Sequence, residues 1–270
     1  MSSELKPGLN NISNEDYHAD KTRLSSSNLK TLLKDPQKFY QEKILGNRVR
    51  VQKNSFDEGS LTHALILEPE VIESEFAFFE GWTKRGKDYT AFKEANPGKV
   101  WISLPQKERC ERWAKACRNT PAAQELLKAG VAEQTVCGEL NGVPVKTRFD
   151  WVDVERGFIM DVKTSAFPID HESFKMTVEK WSYELSGALY LSMAEQFWGK
   201  PFDFYFVAIG KSENDCEVYK MSKETRHMGK LQVNKALEIY KQCKKTGVWE
   251  LPKDPNAKPE VAEDYEILEV

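Results

Sequence analysis

Apolar positions recur along this chain in two rhythms, one helical and one of strands, and together they predict most of its elements. Leu29, Leu32 and Leu33 repeat at helical spacing after Leu24-Ser-Ser-Ser, and the serines are good N-caps. Asp35-Pro36 ends that helix and opens the next, with Asp35 as N-cap, Pro36 in the first turn, and Phe39, Tyr40 and Ile44 inward. Phe56, Gly59, Ser60, His63 and Leu67 share an i, i+3, i+4, i+7 face and predict a third helix over about 56–67. Residues 1–23 are polar with a poor core signal, and residues 80–100 read as a basic loop. Pro105 to Ala129 reads as helical, with Gly130 past its end.

Strand patterns follow. Gln134–Leu140, then Asn141-Gly142, then Val143–Asp150 predicts a hairpin, because Asn-Gly supplies the two positive-φ positions of a type I′ turn. Residues 158–164 complete a three-stranded meander. A helix over about 173–198, with a break near 181, puts Tyr183, Ser186, Gly187, Tyr190 and Phe197 on one face. Phe204–Ile209 is a wholly apolar, buried strand, and 216–221 is its alternating partner. The last helix spans about 222–245, with Val233, Ala236, Leu237, Tyr240 and Cys243 inward and Gly247 as its stop. This order predicts an α/β fold: a mixed central sheet flanked by helices on both faces. It reads as one domain over 1–270, with an N-terminal arm (1–23) and an acidic tail (251–270).

Composition narrows the function classes. A formal net charge of -3 argues against a protein that coats nucleic acid through bulk charge, though basic groups confined to one cleft remain compatible. The five cysteines (110, 117, 137, 216, 243) form no CxxC pair, which argues against a zinc ribbon or a disulfide framework. Free thiols in a reducing cytoplasm are the expectation. The chain has no apolar run long enough to span a bilayer and no signal peptide, so the expected location is cytoplasmic.

The chemistry centres on Asp150 and on Asp161-Val162-Lys163, near the ends of consecutive strands. A hard divalent cation wants carboxylate oxygens, with water filling the remaining positions. Two aspartates on adjacent strands, with the Val162 carbonyl beside them, supply such ligands. Asp161 and Lys163 emerge on the same face of their strand, so the lysine can orient a metal-bound water. Asp-x-Lys on its own is far more often a surface ion pair in a hairpin. His63 is a candidate metal ligand on an apolar helix face, although most such histidines are hydrogen-bonded core residues; Gly59, one turn earlier, leaves room for close approach. Tyr190 and Tyr183 form an aromatic stripe of the kind that usually serves a core. Lys84, Arg85 and Lys87 could track a phosphate backbone, with Trp82 and Tyr89 available to stack on bases, although basic loops are usually solvated surface.

Taken in order, Leu24-Ser-x-Ser-x-Leu29, Asp35-Pro-x-x-Phe-Tyr40, Gly59-x-x-x-His63-x-x-x-Leu67, Arg148-Phe-Asp150, Ile159-Met-Asp-Val-Lys-Thr164 and the helix carrying Tyr190 resemble the PD-(D/E)XK nucleases. The pattern covers about residues 11–250 and is most similar to the RecE-type (exonuclease VIII-like) recombination exonucleases of phages and prophages. The resemblance implies a restriction-endonuclease-like core and a Mg²⁺-dependent exonuclease, with Mn²⁺ as a substitute. Such an enzyme digests the 5′-ended strand of linear double-stranded DNA and leaves a 3′ single-stranded tail for a RecT-like annealing protein. It also implies a homo-oligomeric ring, which would keep a slightly acidic protein on DNA by threading. Carried over by position, His63, Asp150, Asp161 and the Val162 carbonyl match metal ligands, and Lys163 matches the catalytic lysine. Tyr190 matches the end of a Gln-x-x-x-Tyr motif, and Glu133 an acidic position before the first strand. The motif's glutamine falls on Ser186, whose shorter side chain cannot reach as far, so the glutamine's hydrogen bond is lost, carried by water or replaced, with Glu184 as one substitute. Related members carry an iron–sulfur cluster on cysteines near the Asp-Pro and the carboxyl end; none stands there in this chain, so no cluster is expected. The rival expectations are an endonuclease of the same fold, a catalytically silent DNA-end-binding module and a plain structural α/β domain.

Overall fold

The computed structural model describes residues 7–10, 12–47, 54–81 and 84–251. Its strands are β1 (Gly8–Asn10), β2 (Phe76–Phe79), β3 (Val100–Ser103), β4 (Val131–Leu140), β5 (Val143–Asp153), β6 (Phe158–Ser165), β7 (Asp203–Gly210) and β8 (Asp215–Lys220). Its α-helices are α1 (Asn14–Ala19), α2 (Ser26–Lys34), α3 (Pro36–Phe39), α4 (Asn54–Leu67), α5 (Ile72–Glu75), α6 (Lys87–Ala95), α7 (Leu104–Asn119), α8 (Pro121–Leu126), α9 (His171–Lys180), α10 (Tyr183–Trp198) and α11 (Lys223–Thr246). A π-helical turn, Tyr40–Ile44, continues α3, and a 3₁₀ turn, Pro69–Val71, precedes α5.

Six strands form one mixed sheet in the order β1-β4-β5-β6-β7-β8. Only β6 and β7 run parallel, and α9 and α10 make the crossover between them. The hairpin turns at Asn141 (φ 51°) and Gly142 (φ 77°), the two positive-φ positions its sequence requires. On one face, α2, α3, α9, α10 and α11 pack against Val145, Phe149, Val152, Ile159, Phe204 and Phe206. On the other, α4, α7, α8, β2 and β3 pack against Met160, Val162, Val207 and Ile209. This is the mixed sheet with helices on both faces that the order of elements predicts. Where α10 crosses α11, the backbones are so close that a Cβ on Gly229 would stand 2.0 Å from the Glu184 carbonyl oxygen. All five cysteines are buried and free.

Several local expectations need correction. Ile44 is 46% exposed rather than inward. Phe56 is 63% exposed, and α4 instead buries Leu61, Ala64 and Leu67; Asp57, Glu58 and Thr62 are buried with them, which blurs its face. Phe197 is also exposed, at the end of its stripe. Residues 80–100 hold α6, anchored by Tyr89 and Phe92 against Phe79. The helical reading of 105–129 splits at Thr120, where Pro121 opens α8. The polar N-terminal segment contributes β1, paired to residues 135–137 of β4.

Candidate active site

The site begins where two neighbouring strands part. β5 and β6 pair only through Trp151–Asp153 and Phe158–Met160. Past Trp151 the Asp150 side chain fills the gap, and its Oδ2 accepts the Val162 amide at 2.8 Å. A main-chain donor thus finds a carboxylate in place of a strand partner. On its other side β5 shows a matching break. Its pairing with β4 omits the Glu133–Asp150 step while the register continues on both sides. Glu133 has φ 51°, a left-handed conformation uncommon for glutamate. The inside–outside alternation switches there: Val136 and Phe149 join the α10 side, whereas Ala132 and Trp151 join the α7 side. Such breaks re-aim side chains.

What they aim at comes from α4. His63 Nδ1 lies 3.5 Å from Asp150 Oδ2. One ligand atom each from His63, Glu133 and Asp150 fit within 4.8 Å of one another. One imidazole and two carboxylates suit a divalent cation of the Mg²⁺ or Mn²⁺ kind. The electrostatics fit as well. Burial first, and then the Asp150 charge, push Glu133 up to about 7 despite the Arg148 guanidinium paired with it. The Arg148 guanidinium only partly offsets the Glu133 carboxylate, and a bound cation would add the further positive charge. A cleft of about 220 Å³ lined by Gly59, Ser60, His63, Glu68, Glu133 and Arg148 opens beside it.

Asp161 lies one strand over, 3% exposed. Its Oδ2 is ion-paired with Lys163, whose Nζ also donates to the Val162 carbonyl at 3.3 Å. Burial raises the Asp161 carboxyl above its ordinary value, with Lys163 opposing and Asp150 adding to the rise. Burial disfavours the Lys163 cation, but Asp161 and Asp150 outweigh it and hold the lysine above its usual range. Asp161 therefore faces the lysine, and Glu133 is the third member of the cluster that His63 and Asp150 form.

The remaining candidates are spread more widely. Tyr190 sets its ring edge against Phe149, with centroids 5.6 Å apart, and its hydroxyl faces Ser26. Ser186 is buried in α10. Glu184 is buried too, with Oε1 accepting from Gln232 Nε2 at 2.7 Å. Lys84 lies 3.6 Å from Asp57, while Arg85 and Lys87 are exposed. Trp82 lies outside the described residues. Gly59 leaves no tight approach: a Cβ there would meet Thr164 Oγ1 at an ordinary 3.9 Å. Sequence reasoning missed Lys30, whose Nζ lies 5.2 Å from the centre of the Tyr183 ring, and the pairing of Arg148 with Glu133. Arg148 stands in the motif two residues before Asp150, and alternation along β5 puts the two on one face.

Comparison with known proteins bears on the family and the fold. The family described as a PDDEXK-like domain of unknown function (DUF3799) matches residues 25–253. A solved structure from Eubacterium rectale, provisionally described as an exonuclease, is similar over 90% of this chain and 96% of its own, with 17% identity and a TM-score of 0.60. That likeness concerns the fold. A phage-related exonuclease from Haemophilus somnus matches 86% of this chain and 99% of its own at 13% identity, with a TM-score of 0.35 that carries no weight. No curated protein matches the chain in sequence.

Proposed function

The chain belongs to the PDDEXK-like family DUF3799, and from that premise we propose that it is a divalent-metal-dependent nuclease acting on linear double-stranded DNA. One observation carries the reading: Asp150, fixed by the Val162 amide, faces His63 and Glu133 on one side of a strand gap whose other side holds the Asp161–Lys163 pair. His63, Asp150 and Glu133 would hold the cation, with Asp161 and the Val162 carbonyl as neighbouring oxygens. The cation would polarise a phosphate oxygen and acidify a water. Lys163 stays protonated between its carboxylates, so it presents a fixed positive charge to an attacking water or a phosphate oxygen. Tyr190 backs the strand through Phe149, next to Asp150. Arg85 and Lys87 are free to meet backbone phosphates outside the cleft.

The finer reading follows from the motif resemblance: Mg²⁺ as cofactor, resection of the 5′-ended strand, a 3′ tail passed to an annealing protein, and a homo-oligomeric ring. Among the described residues no helix is long and apolar enough to cross a membrane. The test is linear duplex labelled at the 5′ or the 3′ end, with and without Mg²⁺, beside a covalently closed circle. We expect Mg²⁺-dependent nucleotide release from the 5′-ended strand and an intact circle. Asp161→Ala and Lys163→Ala should remain folded and release nothing. End binding without release would make the protein a silent DNA-end module, and cutting of the circle would make it an endonuclease.

A further inference from the structure

Two lysines from different parts of the fold share one aromatic ring. Lys163 Nζ lies 5.3 Å from the centre of the Tyr183 ring, and Lys30 Nζ, from α2, lies 5.2 Å from the same centre. Their charges are answered differently. Lys163 has Asp161. Lys30 is half-buried and, among the described residues, makes no ion pair and no side-chain hydrogen bond. Burial, and then the charge of Lys163, pull it down to about 8, against the weaker opposing pull of Asp161 and Glu184. Glu184 does not come within ion-pair distance: Gln232 holds one of its oxygens, and the other is buried without a hydrogen-bond partner.

A half-buried cation without a counter-ion is costly. A cation-rich edge beside a candidate phosphodiester site gives that cost a purpose. The Tyr183 ring holds the Lys30 ammonium close without taking up its N–H donors, whereas the Lys163 donors are already engaged by Asp161 and the Val162 carbonyl. We infer that Lys30 is a binding residue for the nucleic-acid backbone, taking a phosphate adjacent to the one that Lys163 faces. This rests on the nuclease reading and adds a named substrate contact to it. The contact is electrostatic, so it belongs to affinity and to salt dependence more than to the reacting atoms.

The test measures binding of a fluorescein-labelled linear duplex near neutral pH, with Ca²⁺ as the only divalent cation, over roughly a fourfold range of KCl. Wild type, Lys30→Met and Lys30→Arg are compared, with thermal melting of each. Neutralising one phosphate contact should weaken binding and flatten the plot of log affinity against log salt by about 0.7–0.9. Lys30→Arg should restore the slope. An unchanged slope in Lys30→Met overturns the inference. So does a large fall in melting temperature with the slope intact, since Lys30 would then serve only to balance Glu184. A wild-type protein that binds no duplex at any salt concentration overturns the nuclease reading itself, and this inference with it.

Discussion

Asp150 braces a strand, and the proposed function gives it metal ligation as a second task; two substitutions can separate them. Its carboxylate accepts the Val162 amide at 2.8 Å and it belongs to the His63–Glu133–Asp150 cluster. In Asp150→Ala a hydrogen bond to a charged group is lost, a contribution of about 1.5–3 kcal/mol. Part of that returns, because Glu133 and Asp161 are both pushed up by the Asp150 charge. The net loss should be about 1–2 kcal/mol, or roughly 2–6 °C in melting temperature for a chain of this size. Asp150→Asn keeps an oxygen acceptor for the amide and should melt close to wild type. Metal binding should tell the opposite story. Mn²⁺ at about 100 times its dissociation constant adds about 2.7 kcal/mol to a protein that binds it only when folded. If Asp150→Asn lowers affinity about a hundredfold, the same Mn²⁺ adds only about 0.4 kcal/mol. Differential scanning fluorimetry with and without Mn²⁺ reads both effects. A full Mn²⁺ shift in Asp150→Asn would reduce Asp150 to a strand brace, and an unchanged melting temperature in Asp150→Ala would remove the brace.

Three further outcomes are expected. Glu133→Gln keeps an acceptor for Arg148 but removes an anionic ligand, so calorimetric Mn²⁺ affinity should fall at least about tenfold; unchanged affinity would give the third place to Asp161. Gly229→Ala puts a Cβ 2.0 Å from the Glu184 carbonyl and should cost about 1–3 kcal/mol in urea denaturation, since α11 must move off α10. Burial first, and then the charge of Lys146, pull Lys43 down to about 8. Above that value the folded protein sheds a proton that the unfolded chain keeps until its ordinary 10.5, so stability should rise through this window and the cost is felt below it. Lys43→Met should flatten the rise, and an equal gain in unfolding free energy between about pH 7 and about pH 9.5 in wild type and Lys43→Met, read from urea denaturation, would refute the assignment.

The legible parts of the fold are those whose local chemistry has one solution. Asn141-Gly142 specifies its hairpin, Asp35-Pro36 its helix junction and Gly247 its helix stop, with φ 75°. The unbroken apolar run of β7 specifies a buried strand. The obscure parts have several solutions. β1 has three residues, too few for a period of two. Phe76-Ala-Phe-Phe pairs in parallel with residues 100–103, a contact across more than twenty residues that no local rule signals. The face of α4 misleads because Asp57, Glu58 and Thr62 are buried while Phe56 is exposed. At the site, Asp150, Asp161, Lys163 and His63 stand out by type and spacing. The place of Glu133 does not, since a glutamate at φ 51° is a choice that no propensity predicts.

That choice ties the fold to the chemistry. A sheet optimised for stability alone would continue its pairing through positions 133 and 150 and would put glycine or asparagine where φ turns positive. Here the chain keeps a glutamate in a conformation that costs on the order of 1 kcal/mol. It faces that glutamate toward a second carboxylate and buries a third one strand away. The protein offsets these costs in part: Arg148 pairs with Glu133, the Val162 amide binds Asp150, and Lys163 pairs with Asp161. The balance at Glu133 is incomplete, because burial and the Asp150 charge still push it up to about 7. Places where local rules fail together are where function is expected to reside. Beyond the Arg148 guanidinium, the remaining demand is for a compact positive charge among His63, Glu133 and Asp150, which a divalent cation would meet.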